Sequence, residues 1–527
     1  MTVNSLPFLI FLTVLTLVYY AVRQKDQWIC LLAGSLFFCF LAGNGLLGYL
    51  LLTCASTCGA VRWMEKLDEE QKKKHALQSN GQKPEDRKRE AAVLKKKKKR
   101  ILVLLMIFNF GILILVKYSD FLVGNLNRML GILGGTGLPC PDFLVPLGIS
   151  YYTLQSMGYA LDVYKGKVSP EKSFWKNLLF LCFFPQITQG PIGRFEDLAP
   201  QLYYGHRFFY ENLAMGCRRI LWGLFKKFVI ADRMKPMVDT IFGHYSRYSG
   251  MTLLLGCIYM SIQMYADFSG YMDIVAGAAE ILGIRLAENF RRPFFSKSLA
   301  EYWRRWHITL SGWFRDYLFY PLSISKRAVK FGKLGKKLFG IRIGRLFPAA
   351  YAMVVVWFCT GLWHDSSWRY ILWGVANGVI IIGAMCLEPW FGKMKAALHI
   401  REQSRLWQVF CMLRTFLIVS LLKVFPGAGS TRRSLAVLKR IFTKFRPELS
   451  YDAFFPGMER EHLFFVTVGL VLFFAVSLLQ EQGPVRERPA KRPAALRWGC
   501  YLFLIGGILC MGAFEISMVG GFAYAQY

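Results

Sequence analysis

The sequence predicts an all-α polytopic membrane protein with about ten to thirteen membrane helices, some of them re-entrant. Three observations predict this fold class. Hydrophobic residues make up 54% of the 527-residue chain, and the mean hydropathy is +0.33. Apolar runs long enough to cross the hydrocarbon, which takes about 20 residues, follow one another through short connectors. Only one long polar stretch, residues 62–100, interrupts them.

The first membrane segments precede that polar stretch. The apolar run 3–22 lacks a basic region and a small-residue cleavage site, so we expect a retained span rather than a signal peptide. The run 28–60 is too long for one crossing at about 1.5 Å per residue, and Gly43-Asn44-Gly45 is a turn signal. We expect two shorter helices there, which would put the N-terminus outside; a single span would put it inside.

The polar stretch is strongly basic. Residues 61–100 contain 15 Lys/Arg against 7 Asp/Glu, and basic residues accumulate in cytoplasmic loops. We therefore expect this stretch in the cytoplasm, as a charged helix or disordered, with the basic connectors 324–345 and 482–497 on the same side. The formal charge of +33 has the same explanation, because no signature of a nucleic-acid-binding module accompanies it. No nucleic-acid partner is expected.

The remaining apolar runs continue to the C-terminus without an internal repeat, which argues against an inverted-repeat transporter. Most of the 13 cysteines lie inside apolar runs and none has zinc-ligand spacing, so we expect buried thiols and no metal site. The remaining runs are 101–117, 142–162, 174–192, 213–231, 250–283, 346–363, 368–387, 405–425, 463–479 and 497–514.

Polar and ionisable residues accumulate between residues 263 and 317, inside and between apolar runs. The stretch begins Gln263-Met264-Tyr265-Ala266-Asp267 and ends Trp313-Phe314-Arg315-Asp316-Tyr317. An unpaired charge in hydrocarbon costs several kcal/mol. We therefore expect these carboxylates, arginines and amides to pair within the helix bundle or to line a cavity.

A second polar break separates two strongly apolar helices, with the sequence Thr360-Gly361-Leu362-Trp363-His364-Asp365-Ser366-Ser367-Trp368. Of the seven histidines, only His307 and His364 lie among aromatic residues in segments flanked by membrane helices. An imidazole gains and loses a proton near neutral pH, which suits proton transfer. Spacing alone leaves two roles open for His364, a catalytic role and a hydrogen-bonded packing role. The segment around His307 also fits an interfacial belt that anchors a helix.

Segments in the same order along most of the chain resemble the membrane-bound O-acyltransferase superfamily. The resemblance is to its bacterial branch, which includes the alginate O-acetyltransferase and the D-alanine transfer protein of teichoic acid synthesis. The matching segments are 145–153 with Asp162-Val163-Tyr164, Phe184-Pro185-Gln186 with Gly190-Pro191-Ile192, the block 267–317, Gly361-Leu362-Trp363-His364 and the aromatic ending 522–527.

The resemblance implies a ring of membrane helices around a central tunnel, where a cytosolic donor and an extracytoplasmic acceptor meet. It implies transfer of an acyl group, expected to be acetyl, from a thioester to a hydroxyl. His364 takes the place of the family's catalytic histidine, as general base, and His307 that of a second, less essential one. Residues expected along the tunnel are Asn289, Trp303, Arg304, Trp306, Ser311, Asp316, Trp363 and Asp365, with Asn289 or Trp303 as oxyanion donors.

The resemblance also implies a division of the chain and a set of partners. It gives N-terminal membrane helices (1–60), a basic cytoplasmic loop (61–100), a catalytic core (101–400) and C-terminal membrane helices (401–527). No tightly bound cofactor is implied; the donor is acyl-CoA or an acyl-carrier thioester. The implied partners are a cell-surface polysaccharide, an extracytoplasmic acyltransferase protein, membrane lipid and, for a carrier-borne donor, an acyl carrier protein. The implied location is the bacterial cytoplasmic membrane.

Two departures from the family pattern leave the substrate open. Asp365 stands where the family usually has glycine, and Asn377 stands where this branch often has a histidine. A carboxylate that approached His364 would raise its basicity. D-alanyl transfer from a carrier protein to teichoic acid is therefore a second hypothesis. A transporter is a third, because charges at membrane depth also mark permeation paths.

Overall fold

The computed structural model describes residues 1–43, 46–77, 84–483, 485–487 and 493–514. Throughout these ranges the regular secondary structure is helical, without a strand, and one isolated antiparallel bridge joins Phe290 to Trp306. The predicted all-α class is confirmed. The aromatic ending 522–527 and the turn residues Asn44 and Gly45 lie outside the described residues.

The helices of the first 209 residues are α1 to α9. They are α1 Leu6–Ala21, α2 Gln27–Ala42, α3 Gly48–Leu77, α4 Pro84–Leu113, α5 Ser119–Ile132, α6 Ile149–Tyr164, α7 Phe174–Cys182, α8 Phe184–Ile187 and α9 Phe195–Tyr203.

The helices that follow are α10 to α24. They are α10 Tyr210–Phe225, α11 Asp232–Gly243, α12 Gly250–Ile281, α13 Leu299–Arg305, α14 Ile308–Phe314, α15 Tyr320–Ser323, α16 Lys326–Gly344, α17 Phe347–His364, α18 Trp368–Ala397, α19 Arg405–Leu422, α20 Val424–Gly427, α21 Thr431–Thr443, α22 Tyr451–Phe454, α23 Arg460–Glu481 and α24 Ala494–Met511. Wider π-helical turns continue three helices, at Ile114–Tyr118, Lys226–Ala231 and Arg315–Phe319.

Eight helical segments of the described chain are long and apolar enough to cross a membrane, and α1 is a shorter apolar helix. The protein is therefore a multi-pass membrane protein, with fewer such segments than the ten to thirteen expected. The eight are Gln24–Ala42, Pro84–Ile132, Gly250–Ile281, Phe347–His364, Trp368–Ala397, Arg405–Gly427, Arg460–Glu481 and Ala494–Met511.

The difference arises because several apolar runs fold into short helices. The run 174–192 gives α7, which has nine residues and a length of about 14 Å at about 1.5 Å per residue. That is half of the hydrocarbon thickness of about 30 Å. α7 ends at Cys182, because the next residue, Phe183, has a ψ of 115° that is not helical. Pro185 follows in the first turn of α8. Apolar composition alone does not reveal such breaks.

The predicted division of the run 28–60 is confirmed. α2 ends at Ala42 and α3 begins at Gly48. The basic stretch 61–100 is helical over its described part, because α3 extends to Leu77 and α4 begins at Pro84. Ion pairs join the two arms, from Lys98 to Asp68 at 2.7 Å and from Lys74 to Glu90 at 2.6 Å. Of the two states expected for this stretch, the charged helix is the one observed.

The chain forms two compact units, residues 1–213 with 279–287 and residues 214–278 with 288–527. In the first unit, α1 buries Phe8, Leu12, Leu15 and Tyr19. Its other side exposes Leu6, Ile10, Val14 and Leu17, which are spaced three or four residues apart and so form one stripe. A stripe this apolar suits contact with lipid.

Polar side chains join the helices inside the first unit. The hydroxyls of Thr57 and Ser156 are 2.5 Å apart, and the Gln155 amide donates to the Phe180 carbonyl at 2.6 Å. Gly148 precedes α6 with a φ of 72°, and a Cβ there would collide with the Ile187 carbonyl. Only glycine adopts this positive φ readily and also has no Cβ to collide.

Candidate active site

His364 is the last residue of α17, in the second unit. The helix ends because Asp365 adopts an extended backbone, with φ −156° and ψ 147°. His364 is 6% exposed. Its ring lies edge-on to Trp363 at 5.0 Å and to Trp373 at 5.1 Å, and it stacks on Tyr370 at 6.2 Å between centroids. The imidazole thus ends an apolar helix among aromatic side chains.

The break after His364 is held by polar contacts. The Ser367 hydroxyl donates to the Asp365 carboxylate at 2.7 Å, and the Arg369 guanidinium lies 3.5 Å from the same carboxylate. Arg369 also donates to the Pro426 carbonyl at 3.3 Å. The carboxylate beside His364 is therefore engaged by a hydroxyl and a guanidinium, and the break is tied to α20.

Two glycines bring the helices α17 and α18 close together. A Cβ on Gly361 would collide with the Tyr370 carbonyl, and a Cβ on Gly374 would collide with the Trp357 carbonyl. Small residues at a membrane helix interface permit this approach of one backbone to another. The consequence for the site is that the first turns of α18 pack directly against the end of α17.

His307 is held differently. Its backbone is left-handed, with φ 47° and ψ 54°, and it is 1% exposed. Nδ1 lies 3.3 Å from Asn289 Oδ1, to which the Thr309 N–H and hydroxyl also donate, at 3.0 Å and 2.9 Å. Because the Thr309 N–H donates to that atom, it is the amide oxygen, and His307 carries its proton on Nδ1. Burial lowers the pKa of His307 to about 3, so the ring is neutral.

The structure brings the two histidines to the same tryptophan. The Trp363 ring lies 6.0 Å from the His307 ring and 5.0 Å from the His364 ring. Phe268 of α12 also contacts His307 edge-on, at 5.1 Å. Both candidate residues therefore belong to one aromatic cluster formed by α12, α17 and the start of α14.

Trp303 extends this cluster from α13. Its indole N–H donates to Asn377 Oδ1 at 3.0 Å, and its ring contacts Trp357 at 5.0 Å and Trp373 at 5.4 Å. Asn377 in turn donates to the Trp373 carbonyl at 2.8 Å. The asparagine that departs from the family pattern therefore bonds to the Trp303 side chain and to the backbone of Trp373, which contacts His364.

The other predicted tunnel residues have separate contacts. Trp306 is 2% exposed, and the Ser311 hydroxyl donates to its carbonyl at 3.4 Å. Arg304 is exposed. Asp316 pairs with the exposed Arg315 at 2.9 Å. Of the residues expected along the tunnel, Arg304 is thus exposed and Asp316 is half-buried.

The buried carboxylates of α12 are paired, as their position in an apolar run predicted. Asp267 and Asp232 each lie 2.8 Å from Lys227, and Asp273 lies 2.5 Å from Lys226. Arg219 continues the chain of charges from Asp273, at 2.9 Å, to Glu288, at 2.7 Å. We call these seven residues the charge cluster.

Sequence reasoning missed some of these positions. Tyr370 and Trp373 contact His364. Their only signal in the sequence is that they are aromatic residues shortly after the polar break. Lys226 and Lys227 were signalled by two adjacent charges inside the apolar run 213–231. Among the residues that the structure describes, no group of three or more His, Cys, Asp or Glu side chains is arranged to hold a metal ion.

Residues 168–425 match the model of the membrane-bound O-acyltransferase family, and this range contains both histidines. The chain belongs to the membrane-bound O-acyltransferase superfamily. Within it, the chain lies on the alginate O-acetyltransferase-like branch, as the relatives below support.

Three relatives illustrate this position. The probable alginate O-acetylase of Azotobacter vinelandii is 34% identical over 263 residues, which is 50% of this chain and 49% of that protein. The peptidoglycan O-acetyltransferase of Helicobacter pylori is 29% identical over 360 residues, 63% of each chain. The teichoic acid D-alanyltransferase of Bacillus subtilis is 28% identical over 255 residues, 47% of this chain and 61% of that protein. The chain spans about half the length of the alginate relatives it matches.

Proposed function

We propose that the protein is an O-acyltransferase of the bacterial cytoplasmic membrane. It moves an acyl group, acetyl in the first instance, from a cytosolic thioester towards hydroxyl groups of an extracytoplasmic polysaccharide. The observation that carries this proposal is the placement of His364 at the end of an apolar span, inside an aromatic wall that it shares with His307. Family membership and the names of the relatives supply the reaction class.

In this proposal His364 is the general base. The acceptor oxygen forms a bond to the thioester carbonyl carbon while its proton passes to the His364 imidazole. Collapse of the adduct breaks the carbon–sulfur bond, and the proton passes to the departing thiolate. Such positioned proton transfer typically contributes about 10²–10⁴-fold to the rate. The surrounding aromatic rings exclude water, which strengthens the electrostatic interactions at the reacting atoms.

His307 has a second, supporting role in the site. Its proton is on Nδ1, where it donates to Asn289, so Nε2 carries a lone pair. The Asn289 amide N–H donates to Met272 Sδ at 3.3 Å, and the Trp303 indole donates to Asn377. Because the single indole N–H of Trp303 has a partner, we assign Trp303 to positioning the tryptophan cluster. Asn289 positions His307 through its amide oxygen and stays the expected oxyanion donor, because only one of its two amide N–H groups bonds to Met272.

The donor in this proposal is acyl-CoA or an acyl-carrier thioester, and no tightly bound cofactor is involved. The catalytic core is residues 101–400, with the charged helical arms of 61–100 on the cytoplasmic side. An extracytoplasmic acyltransferase partner relays the acyl group onto the polysaccharide. The central tunnel that the family implies joins the two substrates at His364.

The test is acyl transfer by purified protein in lipid vesicles, with acetyl-CoA as donor, for His364→Gln and His364→Ala. We expect a loss of about 10²–10⁴-fold with an unchanged thermal midpoint. His399→Asn is the matched control, because His399 is exposed and has a left-handed φ of 51°, which asparagine tolerates. Undiminished transfer by a folded His364 variant contradicts the proposal.

D-alanyl transfer is the second candidate, favoured by the similarity to teichoic acid D-alanyltransferases. It predicts that a D-alanyl carrier protein replaces acetyl-CoA as donor in the same vesicles. Transfer of acetyl from acetyl-CoA without any carrier excludes this alternative as the main activity.

A further inference from the structure

Lys423 is a buried cation at the end of a membrane helix. It follows α19 directly, is 4% exposed, and lies in the span Arg405–Gly427. Its ammonium lies 3.0 Å from Met264 Sδ and 4.8 Å from the centroid of the Trp306 ring. A thioether and an aromatic face are weak partners for a full positive charge.

The contrast with the charge cluster is direct. Lys226 and Lys227 are equally buried, but carboxylates lie 2.5 Å and 2.8 Å from their ammonium groups. Within the described ranges, no carboxylate lies within 4.0 Å of the Lys423 ammonium. A buried charge without a counter-ion costs several kcal/mol. The same helix bundle therefore neutralises two buried lysines and leaves the third without a protein anion.

Two buried hydroxyls also lack partners, one on a residue that contacts the same Trp306 ring and one on a residue close to Lys423 in the chain. Ser420, one turn earlier on α19, is completely buried, and Tyr302, which is 1% exposed, stacks on Trp306 at 5.5 Å. Neither hydroxyl has a hydrogen-bond partner among the described residues. Buried polar groups without partners are uncommon and call for an explanation. Tyr302 and Lys423 thus contact the same indole ring, and Ser420 lies one turn before Lys423.

We propose that Lys423, with Trp306 as its aromatic wall, binds an oxyanion of a substrate, a carboxylate or a phosphate, and that the Tyr302 and Ser420 hydroxyls are further donors to it. An ammonium and an oxyanion form a charge-assisted hydrogen bond, and the hydroxyls are neutral donors to the same group. The identity of the substrates rests on the proposed acyl transfer, whereas the anion site itself rests on the contacts above.

The position of the site links it to the histidines. Trp306 directly precedes His307 in the chain. Arg369 donates to the carbonyl of Pro426, three residues after Lys423, and pairs with Asp365, directly after His364. An oxyanion bound at Lys423 therefore fixes a substrate close to the aromatic cluster. Lys423 is a specificity-determining residue in this assignment, and His364 remains the base.

The experiment compares substrates that carry an oxyanion with analogues that lack it, using the full chain in lipid vesicles. One arm offers methyl glucuronide and methyl glucoside as acceptors with a common donor. The other offers S-acetyl-4′-phosphopantetheine and S-acetylpantetheine, which lacks the phosphate, as donors with a common acceptor. The variants are Lys423→Met, Lys423→Arg and the control Lys439→Met, whose side chain on α21 is exposed.

We expect the wild type to prefer the charged substrate in one arm, by kcat/KM. Lys423→Met should lower that preference about tenfold or more, as expected for a lost charge-assisted bond, while the rate with the neutral substrate changes little. Lys423→Arg and Lys439→Met should keep the preference. The arm that responds identifies whether acceptor or donor carries the oxyanion. A folded Lys423→Met with both preferences unchanged overturns the proposal.

Binding provides a readout that does not need turnover. The shift in thermal midpoint is measured with methyl glucuronide, methyl glucoside, pantetheine 4′-phosphate and pantetheine. Larger shifts with a charged compound in wild type and Lys423→Arg support the site, even if no acyl transfer is detected and the proposed function fails. Equal shifts for charged and neutral compounds in the wild type overturn the proposed anion site. This result does not depend on whether Lys423→Met folds.

Discussion

Two polar regions lie inside the same unit of this protein, and they are organised in opposite ways. The charge cluster around α12 joins three cations to four carboxylates through ion pairs of 2.5 to 2.9 Å. The region of His307 and His364 is walled by tryptophan, tyrosine and phenylalanine rings, and its hydrogen bonds involve amides and hydroxyls.

The difference separates a region in which charges pair with each other from the region to which the proposed function assigns the chemistry. A cluster whose charges are all paired gains nothing from a ligand, and loss of one member leaves the others unpaired. An imidazole among aromatic rings can change its protonation without disturbing an ion pair. Lys423 belongs with the second region, because its ammonium contacts a thioether and an indole.

The largest difference in stability between the two regions is expected when the central cation of the charge cluster is removed. Lys227→Met leaves Asp232 and Asp267 buried without their shared partner. We expect a loss of about 3–5 kcal/mol of stability, seen as a lower thermal midpoint and a lower yield of folded protein. Folded Lys227→Met should keep its KM for the donor.

The control is Lys235→Met on α11. Lys235 forms a partly exposed ion pair with Asp239, one turn later on the same helix. Such a pair contributes at most about 1 kcal/mol. The triple variant Lys227→Met, Asp232→Asn, Asp267→Asn should recover part of the stability, because no charge is left unpaired. Equal midpoints for the two lysine variants would show that the cluster is not structural.

A smaller effect is expected at the contact of α17 with α18. Gly361→Ala places a methyl group against the Tyr370 carbonyl, and such overpacking typically costs about 1–3 kcal/mol. Since Tyr370 stacks on His364, acyl transfer should fall together with stability. Gly383→Ala, in open space on α18, is the matched control and should be neutral or slightly stabilising. Activity that survives in Gly361→Ala argues against a need for the tight contact.

A further effect concerns the pH dependence of stability. Burial lowers the pKa of His307 to about 3, whereas an unfolded histidine titrates near pH 6.5. Between these values the unfolded chain binds a proton that the folded protein does not. Stability is therefore fully present above about pH 6.5 and falls as the pH is lowered, by at most about 1.4 kcal/mol per pH unit.

His307→Gln removes this contribution, so its thermal midpoint should change less between pH 7 and pH 4.5 than that of the wild type. His399→Asn should keep the wild-type dependence. If His307→Gln follows the wild-type curve, the acid sensitivity arises elsewhere in the chain.

Hydropathy and turn signals predicted the large elements because they depend on local sequence. The split of the run 28–60, the helices α17 and α18 around the polar break, and the pairing of the α12 carboxylates follow from composition and the cost of a buried charge. The short helices α7 and α8 could not be predicted from apolar composition, because their ends depend on single residues such as Phe183.

For the site, the sequence predicted the two histidines and Trp363, which stands beside His364 in the chain. It could not predict that Trp363 contacts both rings, since that contact joins residues 56 positions apart. It also could not assign partners to Asn289 and Trp303, because each bonds to residues distant in sequence. Lys423 escaped notice because a single lysine at the end of an apolar run looks like an ordinary interfacial anchor.

The wide π-helical turn Lys226–Ala231 has a consequence for how this protein tolerates insertions and deletions. A π-turn holds an extra residue within a continuous helix, and here it lies between α10 and α11 and carries two buried lysines. Deleting one residue between Lys227 and Asp232 would restore regular α-helical spacing and leave the two side chains four positions apart, where they lie on the same face of an α-helix. Their ion pair would therefore persist, so the extra residue can be lost without disconnecting these charges.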